Sequence, residues 1–226
     1  MSSLHKGHRE RLRKKAIRNG LESLAPHEVL EILLFNAIPR RDTNPIAHEL
    51  LNKYNGNLAK VFEADMEELK KVDGVGDNAA FLIHMIPQFA RIFKTGQWEK
   101  KVSLGTHEEL GEFAIDMCLG LTEENFYVIC LDSNRKLKAY DVLEKGTANE
   151  VNIYIRKIAE YAVREKAVNI VLVHNHPNGS PLPSVNDKRL TKEIIRSLSV
   201  FGLNVIDHIV VGGRNYYSMD AMGDID

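Results

Sequence analysis

The sequence predicts two domains: an all-α N-terminal domain over residues 1–95 and an α/β C-terminal domain with a mixed sheet over residues 106–226. The first region carries helix-start and helix-stop signals without the alternating apolar pattern of a strand. The second alternates short β-branched runs with amphipathic segments of helical length, which is typical of a sheet covered by helices. Residues 96–105, which include the only tryptophan (Trp98), show neither pattern and are predicted to form the linker.

Composition bounds the class of protein. At 226 residues, with 44% hydrophobic and 27% charged residues, the chain has the composition of an ordinary globular protein. Its two cysteines, Cys118 and Cys130, have no metal-ligand spacing and imply no disulfide framework, which favours a reducing compartment. The sequence shows neither a signal-peptide core nor an apolar run of membrane-spanning length. We therefore expect a cytoplasmic protein with no membrane partner.

Charge is unevenly distributed along the chain. Residues 1–101 hold 17 Lys and Arg against 13 Asp and Glu, whereas residues 102–226 hold 13 against 18. A basic helix predicted over residues 4–19, with Arg11 and Arg13, carries much of the first excess. Such a run can mark a surface that faces nucleic acid, although a solvated helix face is the commoner explanation for a run this short.

The remaining helices of the N-terminal domain are short. They are predicted over residues 26–34, 46–54, 58–62, 66–72 and 77–93. Pro26 suits the first turn of its helix, whereas Pro87 is predicted to kink the last one. Together these segments predict a compact all-α module.

The turn between the last two of these helices resembles a helix-hairpin-helix element. Gly74 and Gly76 would let backbone N–H groups approach a phosphate ahead of a helix N-terminus, and Lys70 and Lys71 precede them. The resemblance implies DNA binding through the phosphate backbone, without sequence specificity. Asp77 would repel that phosphate and, as an N-cap, would occupy the N–H groups. A purely structural turn is therefore an equally open interpretation.

Five strands and three helices are predicted in the C-terminal domain. The strands cover residues 125–131, 137–143, 169–173, 205–211 and 215–218. The helices cover residues 110–119, 150–165 and about 185–198.

The most informative stretch is the end of the third strand with the loop that follows it. Side chains alternate along a strand, so His174 and His176 face the same way and can converge on one metal ion. Ser184-x-x-Asp187 then opens a helix that returns Asp187 towards the two histidines. Two His, one carboxylate and an open fourth position are typical of a catalytic zinc site. The same tetrapeptide is also typical of a capping box, and the two roles are compatible.

This spacing resembles the metal-binding motif of the JAMM (MPN+) metallopeptidases, matched by His174, His176, Ser184 and Asp187. The fuller wording, His-Asn-His-Pro-x-Gly, Pro-Ser-x-x-Asp and a later Asp-His-Ile, resembles the RadC-type branch of that group over nearly the whole chain. The resemblance implies a JAMM fold, which is cytidine-deaminase-like, and a Zn²⁺ ion held by the two histidines and Asp187. It also implies hydrolysis of a peptide or isopeptide bond in a protein substrate, and the RadC name links the family to DNA repair.

The resemblance further implies a glutamate general base at the start of the first strand. Glu124 is the best match and Glu123 the alternative, although a glutamate before a strand is more often a solvated surface residue. Ser184 would help to stabilise the oxyanion. His208 either supports the metal site from behind or is a hydrogen-bonded core histidine, and the second reading is the commoner one.

One departure from the family and two competing functions remain open. RadC-type chains usually carry His-Pro-Arg-Glu before the helix that leads into the metal strand, where this chain has Tyr154-Ile155-Arg156-Lys157. If that segment lines the substrate groove, specificity or activity has changed. The alternatives are a DNA-binding repair factor or metal-dependent nuclease, and a protein-interaction module with vestigial metal binding. The zincin His-Glu-x-x-His and deaminase Cys-x-x-Cys patterns are both absent.

Overall fold

The computed structural model describes residues 3–98, 103–145, 151–177 and 179–225 of the 226-residue chain. The chain forms two compact units, residues 1–89 and 90–226, whereas the sequence predicts the first domain to end at residue 95. No helix among the described residues combines the length and the apolar composition needed to cross a bilayer.

The first unit is helical, as predicted, and contains no strand among its described residues. Its elements are α1 (Ser3–Asn19), a 3-10 turn (Leu21–Ser23), α2 (Pro26–Ala37), α3 (Asn44–Lys53), α4 (Leu58–Phe62), α5 (Met66–Lys70) and the first part of α6 (Asp77–Trp98). α6 continues through Pro87 to Trp98, so the segment predicted as linker begins inside a helix. Residues 99–102 of that segment lie outside the described residues.

Apolar side chains at helical spacing form the core of the first unit. Leu30 and Leu34 of α2, Leu50 of α3, Leu69 of α5 and Ile83 of α6 are all fully buried in one cluster. The spacing of four residues between Leu30 and Leu34 places both side chains on one face of α2. Burial of these faces, rather than the propensity of helices as short as α4 and α5, stabilises the unit.

The basic helix α1 uses part of its charge inside the protein. The guanidinium of Arg9 donates hydrogen bonds to the backbone carbonyls of Phe35, Ile38, Pro39 and Arg41, at 2.6–3.3 Å. These carbonyls lie at and beyond the C-terminal end of α2, where helix carbonyls lack partners within the helix. Arg9 therefore caps α2.

The second unit is a five-stranded mixed sheet with helices on both faces. Its helices after α6 are α7 (His107–Cys118), α8 (Val151–Arg164) and α9 (Val185–Ser199). Its strands are β1 (Asn125–Leu131), β2 (Leu137–Lys145), β3 (Asn169–Asn175), β4 (Asn204–Gly212) and β5 (Asn215–Ser218), in the order β2-β1-β3-β4-β5. The β3–β4 pair is parallel and the other pairs are antiparallel, so the predicted mixed sheet is confirmed.

Alternation along the central strand β3 decides which helix faces the functional residues. Val171 and Val173 pack in the cluster that contains Phe113 of α7, whereas Ile170 and Leu172 pack in the cluster of α8 and α9. All of these side chains are fully buried, as expected for a strand covered on both faces. His174 follows the even-numbered set and so points to the side of the sheet where α9 lies.

Trp98 belongs to the core of the second unit. Its side chain is buried, its ring centroid lies 5.6 Å from that of Phe113, and its indole N–H donates to Asp116 at 2.7 Å. These contacts with α7 explain why α6 extends five residues beyond the predicted end at Phe93.

Candidate metal centre

The residues of the predicted metal motif come together where β3 ends and α9 begins. His174 is the last residue but one of β3, and His176 follows the strand directly. Ser184 is the N-cap of α9, and Asp187 lies in its first turn. Glu124 directly precedes β1, whose residue Phe126 pairs with His174 in an antiparallel register. The start of β1 therefore lies beside the end of β3.

Three potential ligand atoms converge on one point. The Nε2 atoms of His174 and His176 are 3.0 Å apart, and Oδ2 of Asp187 lies 3.7 Å and 3.8 Å from them. A point equidistant from three atoms at these separations lies about 2.0 Å from each, which is the usual length of a zinc–nitrogen or zinc–oxygen bond. The donor set therefore fits a divalent metal ion.

The carboxylate of Glu124 faces the same place. One of its oxygens and the ring nitrogens of His174 and His176 lie within 4.8 Å of one another, so these three residues could also hold a metal ion. Asp187 lies closer than that limit to both histidines. An ion bound by the histidines and Asp187 would leave Glu124 beside it, where a general base is needed. Glu123, the alternative base, is exposed and is not part of this group.

Asn175 holds the backbone on both sides of Glu124. Its Oδ1 accepts a hydrogen bond from the N–H of Asn125, and its Nδ2 donates to the carbonyl of Glu123, each at 2.9 Å. Asn175 is itself buried, so water competes little for these bonds. The alternation of β3 predicts that Asn175 faces away from the histidines, but it does not reveal this contact.

The orientation of His176 is set by the loop that follows it. Its Nδ1 lies 2.8 Å from the backbone carbonyl of Ser180, and because a carbonyl only accepts, Nδ1 carries the proton. The lone pair of His176 is therefore on Nε2, towards the metal point. The loop is seated on Gly212, where a Cβ atom would lie 2.4 Å from the backbone of Ser180 and 2.5 Å from that of Pro181. Only glycine allows this approach.

His208 lies behind His174. Its Nε2 is 2.8 Å from Nδ1 of His174, and its Nδ1 is 2.5 Å from Oγ1 of Thr191. Burial lowers the pKa of His208 well below its ordinary value, so the ring is neutral near pH 7. Both readings of His208 hold together: it is a buried core histidine, and it contacts a potential metal ligand. Thr191 was not predicted, although its spacing of four residues from Asp187 places both on one face of α9.

Ser184 and Asp187 form the capping box that the sequence also predicts. Asp187 N–H donates to Ser184 Oγ at 3.1 Å, and Ser184 N–H donates to Asp187 Oδ2 at 2.7 Å. Burial would raise the pKa of Asp187, but the hydrogen bonds that its carboxylate accepts from Ser184 oppose burial, and the pKa lies well below the ordinary value. The carboxylate is therefore charged while it caps α9 and faces the histidines.

Comparisons with known proteins show the family of this chain. A family model described as the RadC-like JAB domain matches residues 104–224, and a model described as the UPF0758 N-terminal region matches residues 5–81. The chain belongs to the RadC-like JAB domain family. It is also 36% identical to a UPF0758 protein of Fusobacterium nucleatum over 222 residues, which cover 95% of each chain. The RadC resemblance predicted from the motif is confirmed.

The lysines of the predicted nucleic-acid contact in this RadC-family chain are held by acidic neighbours. Lys70 lies 2.6 Å from a carboxylate oxygen of Glu67 and 3.2 Å from one of Asp77. Lys71 pairs with Glu68. Each pairing would have to be broken or shared for the lysine to reach a phosphate, so the structure gives these lysines a local role.

The glycines and arginines of that prediction also have local surroundings. Gly74 has a φ of 87°, and a Cβ atom there would lie 2.7 Å from Cδ1 of Ile46, so its conformation and packing both require glycine. Gly76 is exposed, and nothing lies within 4 Å of where its Cβ would be. Arg13 lies over the ring of Phe35 at 5.7 Å, and Arg11 is exposed on α1. DNA binding by these six residues stays a prediction.

Proposed function

We propose that this RadC-family protein is a zinc-dependent hydrolase that cleaves a peptide or isopeptide bond in a protein substrate. The observation that carries the proposal is the set of three donor atoms separated by 3.0, 3.7 and 3.8 Å, with the carboxylate of Glu124 beside them. His174, His176 and Asp187 would hold the ion. When bound, zinc supplies Lewis acidity and lowers the pKa of a water molecule to ~7.

Glu124 would act as the general base and then as the general acid. It takes a proton from the attacking water and passes it to the leaving amine. The two hydrogen bonds of Asn175 to the neighbouring residues keep the backbone of Glu124 in place, so that its carboxylate faces the reacting atoms. Precise placement of such a base is worth a large part of its effect.

Ser184 would stabilise the negative charge that develops on the carbonyl oxygen. Its Oγ accepts a hydrogen bond from the N–H of Asp187, which leaves the hydroxyl proton free of that bond. Ser184 is exposed, so a substrate carbonyl can reach this proton. A donor aimed at a developing oxyanion is a common source of rate enhancement in acyl transfer.

Membership of the JAB family supports this reading over the two alternatives. Asp187 lies within 3.8 Å of both histidines, and Glu124 groups with the same two histidines; a scaffold with vestigial binding does not need this arrangement, which supports the proposal. The nuclease or repair alternative depends on a DNA-binding hairpin whose lysines are paired with carboxylates. We therefore propose the peptidase or isopeptidase alone.

A cleavage assay on the full chain tests the proposal. We would offer a peptide library, lysine isopeptide conjugates and DNA side by side, with zinc, with a chelator, and with zinc restored. The proposal predicts cleavage of an amide substrate that is lost on chelation and regained with zinc. Glu124→Gln should slow this cleavage by about 10²- to 10⁴-fold, whereas the matched control Glu123→Gln should retain it. Cleavage of DNA alone, or amide cleavage that survives chelation, would overturn the proposal.

A further inference from the structure

A chain of three hydrogen bonds connects the backbone of α9 to the ring of His174. Oγ1 of Thr191 lies 2.6 Å from the carbonyl oxygen of Asp187 and 2.5 Å from Nδ1 of His208. Nε2 of His208 then lies 2.8 Å from Nδ1 of His174. The side chains of Thr191 and His208 are fully buried and that of His174 is 2% exposed, so water does not compete for these bonds.

The backbone carbonyl of Asp187, at one end of this series of hydrogen bonds, fixes which group donates in each of them. A carbonyl oxygen can only accept, so the hydroxyl of Thr191 donates its proton to Asp187. Because a hydroxyl has one proton, the ring of His208 must be the donor in its bond to Thr191. The sulfur of Met219, at 3.6 Å from Oγ1, is a weaker and more distant acceptor and does not change this assignment.

The same reasoning assigns the proton of His174, and with it the lone pair on Nε2. The ring of His208 is fully buried, where an uncharged imidazole with a single proton is favoured; that proton is on Nδ1, so its Nε2 accepts from His174. His174 must then carry its own proton on Nδ1. Its lone pair is left on Nε2, which is the atom that lies 3.0 Å from Nε2 of His176.

We propose that Thr191 is a positioning residue for the metal site: acting through His208, it fixes the proton of His174 on Nδ1 and so presents Nε2 as an electron-pair donor. The carbonyl of Ser180 does the same for His176 from the other side. Two imidazole lone pairs and the Asp187 carboxylate then face one another with no proton between them. Such acceptors repel one another unless a cation lies among them. The three hydrogen bonds therefore give the site its preference for a metal ion.

Asp187 contributes to the site through both its side chain and its backbone carbonyl. Its side chain faces the two histidines, while its backbone carbonyl receives the proton of Thr191. The turn of α9 from Asp187 to Thr191 therefore places one ligand and sets the tautomer of another. Partners of this kind behind a ligand typically change metal affinity by 10- to 100-fold.

The experiment compares Thr191→Val, which keeps the shape and loses the hydroxyl, with Thr191→Ser, which keeps the hydroxyl. Long-range ¹H–¹⁵N NMR correlations of the histidine rings, recorded at pH 8 on the zinc-free full chain, report which nitrogen carries each proton. We expect Nδ1–H on both His174 and His208 in the wild type and in Thr191→Ser. In Thr191→Val we expect a mixture of tautomers and a zinc affinity about 10- to 100-fold weaker by chelator competition.

Two results would overturn the inference. One is a wild-type spectrum with the proton of His174 on Nε2, which decides the matter even if Thr191→Val fails to fold. The other is a folded Thr191→Val protein with wild-type tautomers and wild-type zinc affinity. Only the affinity measurement rests on the proposed function. A wild-type protein that has Nδ1–H on both His174 and His208 but binds no zinc would contradict the proposed hydrolase. It would still support the effect of Thr191 on the tautomer of His174.

Discussion

The metal centre and the turn between α5 and α6 differ in whether their polar groups face a common point or pair with one another. Both place a loop ahead of the N-terminus of a helix, and both carry residues suited to a ligand. At the metal centre, His174, His176 and Asp187 direct acceptor atoms at one point. At the turn, Lys70 and Lys71 each form an ion pair with a carboxylate of a nearby residue. A candidate metal site is therefore indicated by acceptor atoms that face a common point, more than by the types of residue in the neighbouring turn.

The largest expected effect is loss of the metal ion from the first region. His174→Ala and Asp187→Ala each remove one of three ligands, so the zinc content after dialysis should fall from about one ion per chain to almost none. Lys70→Ala combined with Lys71→Ala is the matched control in the second region and should keep its zinc. Mass spectrometry of the metal content checks both, and a folded Asp187→Ala chain that keeps its full zinc would show that Asp187 is not a ligand.

The next effect separates a base from a ligand. Glu124→Gln should lower the rate of amide hydrolysis by about 10²- to 10⁴-fold, which is the usual contribution of a general base. Its zinc affinity, measured by competition with a chelator, should match that of the wild type. Loss of zinc together with activity would show instead that Glu124 is one of the ligands, an arrangement that its distance from the histidines also allows.

Substitutions at two glycines, one beside the metal centre and one in the turn, should differ in their effect on the free energy of unfolding. Gly212→Ala forces a Cβ atom against the backbone of Ser180 and Pro181, so we expect a loss of about 1–3 kcal/mol in the free energy of unfolding. Gly76→Ala meets no atom within 4 Å and should change it by less than about 0.5 kcal/mol. Urea titrations measure both. Equal costs would mean that the loop after His176 is not tightly seated on Gly212.

The smallest expected effect concerns DNA. Because Lys70 and Lys71 are already paired with carboxylates, replacing both with alanine should leave any DNA affinity and its salt dependence unchanged. The slope of log affinity against log salt is the quantity to measure. If each lysine contacted a phosphate, the slope would instead become shallower by about two units. That result would restore the nucleic-acid role that the turn resembles.

Local sequence patterns were sufficient where an element is defined by its own residues. The bounds of β1 and β5 were predicted as the structure has them, because short β-branched or aromatic runs there end in clear turn signals. The end of α6 was placed five residues early, at Phe93, because its last turns depend on the burial of Trp98 against α7. Nothing near Trp98 in the sequence indicates that contact.

The same distinction applies to the site. Strand alternation and a helix start predict that His174, His176 and Asp187 lie close together, as they do in the structure; their role as metal ligands stays a prediction. Asn175 and Thr191 act through contacts that join segments far apart in the chain: Asn175 reaches a residue 50 positions away, and Thr191 one 17 positions away. Neither residue type marks a supporting role by itself, so only the three-dimensional arrangement reveals it.

Diffraction from zinc-loaded crystals would show whether two imidazoles and one aspartate bind a divalent ion. Data collected at the zinc absorption edge locate the metal without reference to activity. We expect one strong anomalous peak about 2.0–2.2 Å from Nε2 of His174, Nε2 of His176 and Oδ2 of Asp187. A peak bound elsewhere, or none at this point in a protein soaked with excess zinc, would contradict it.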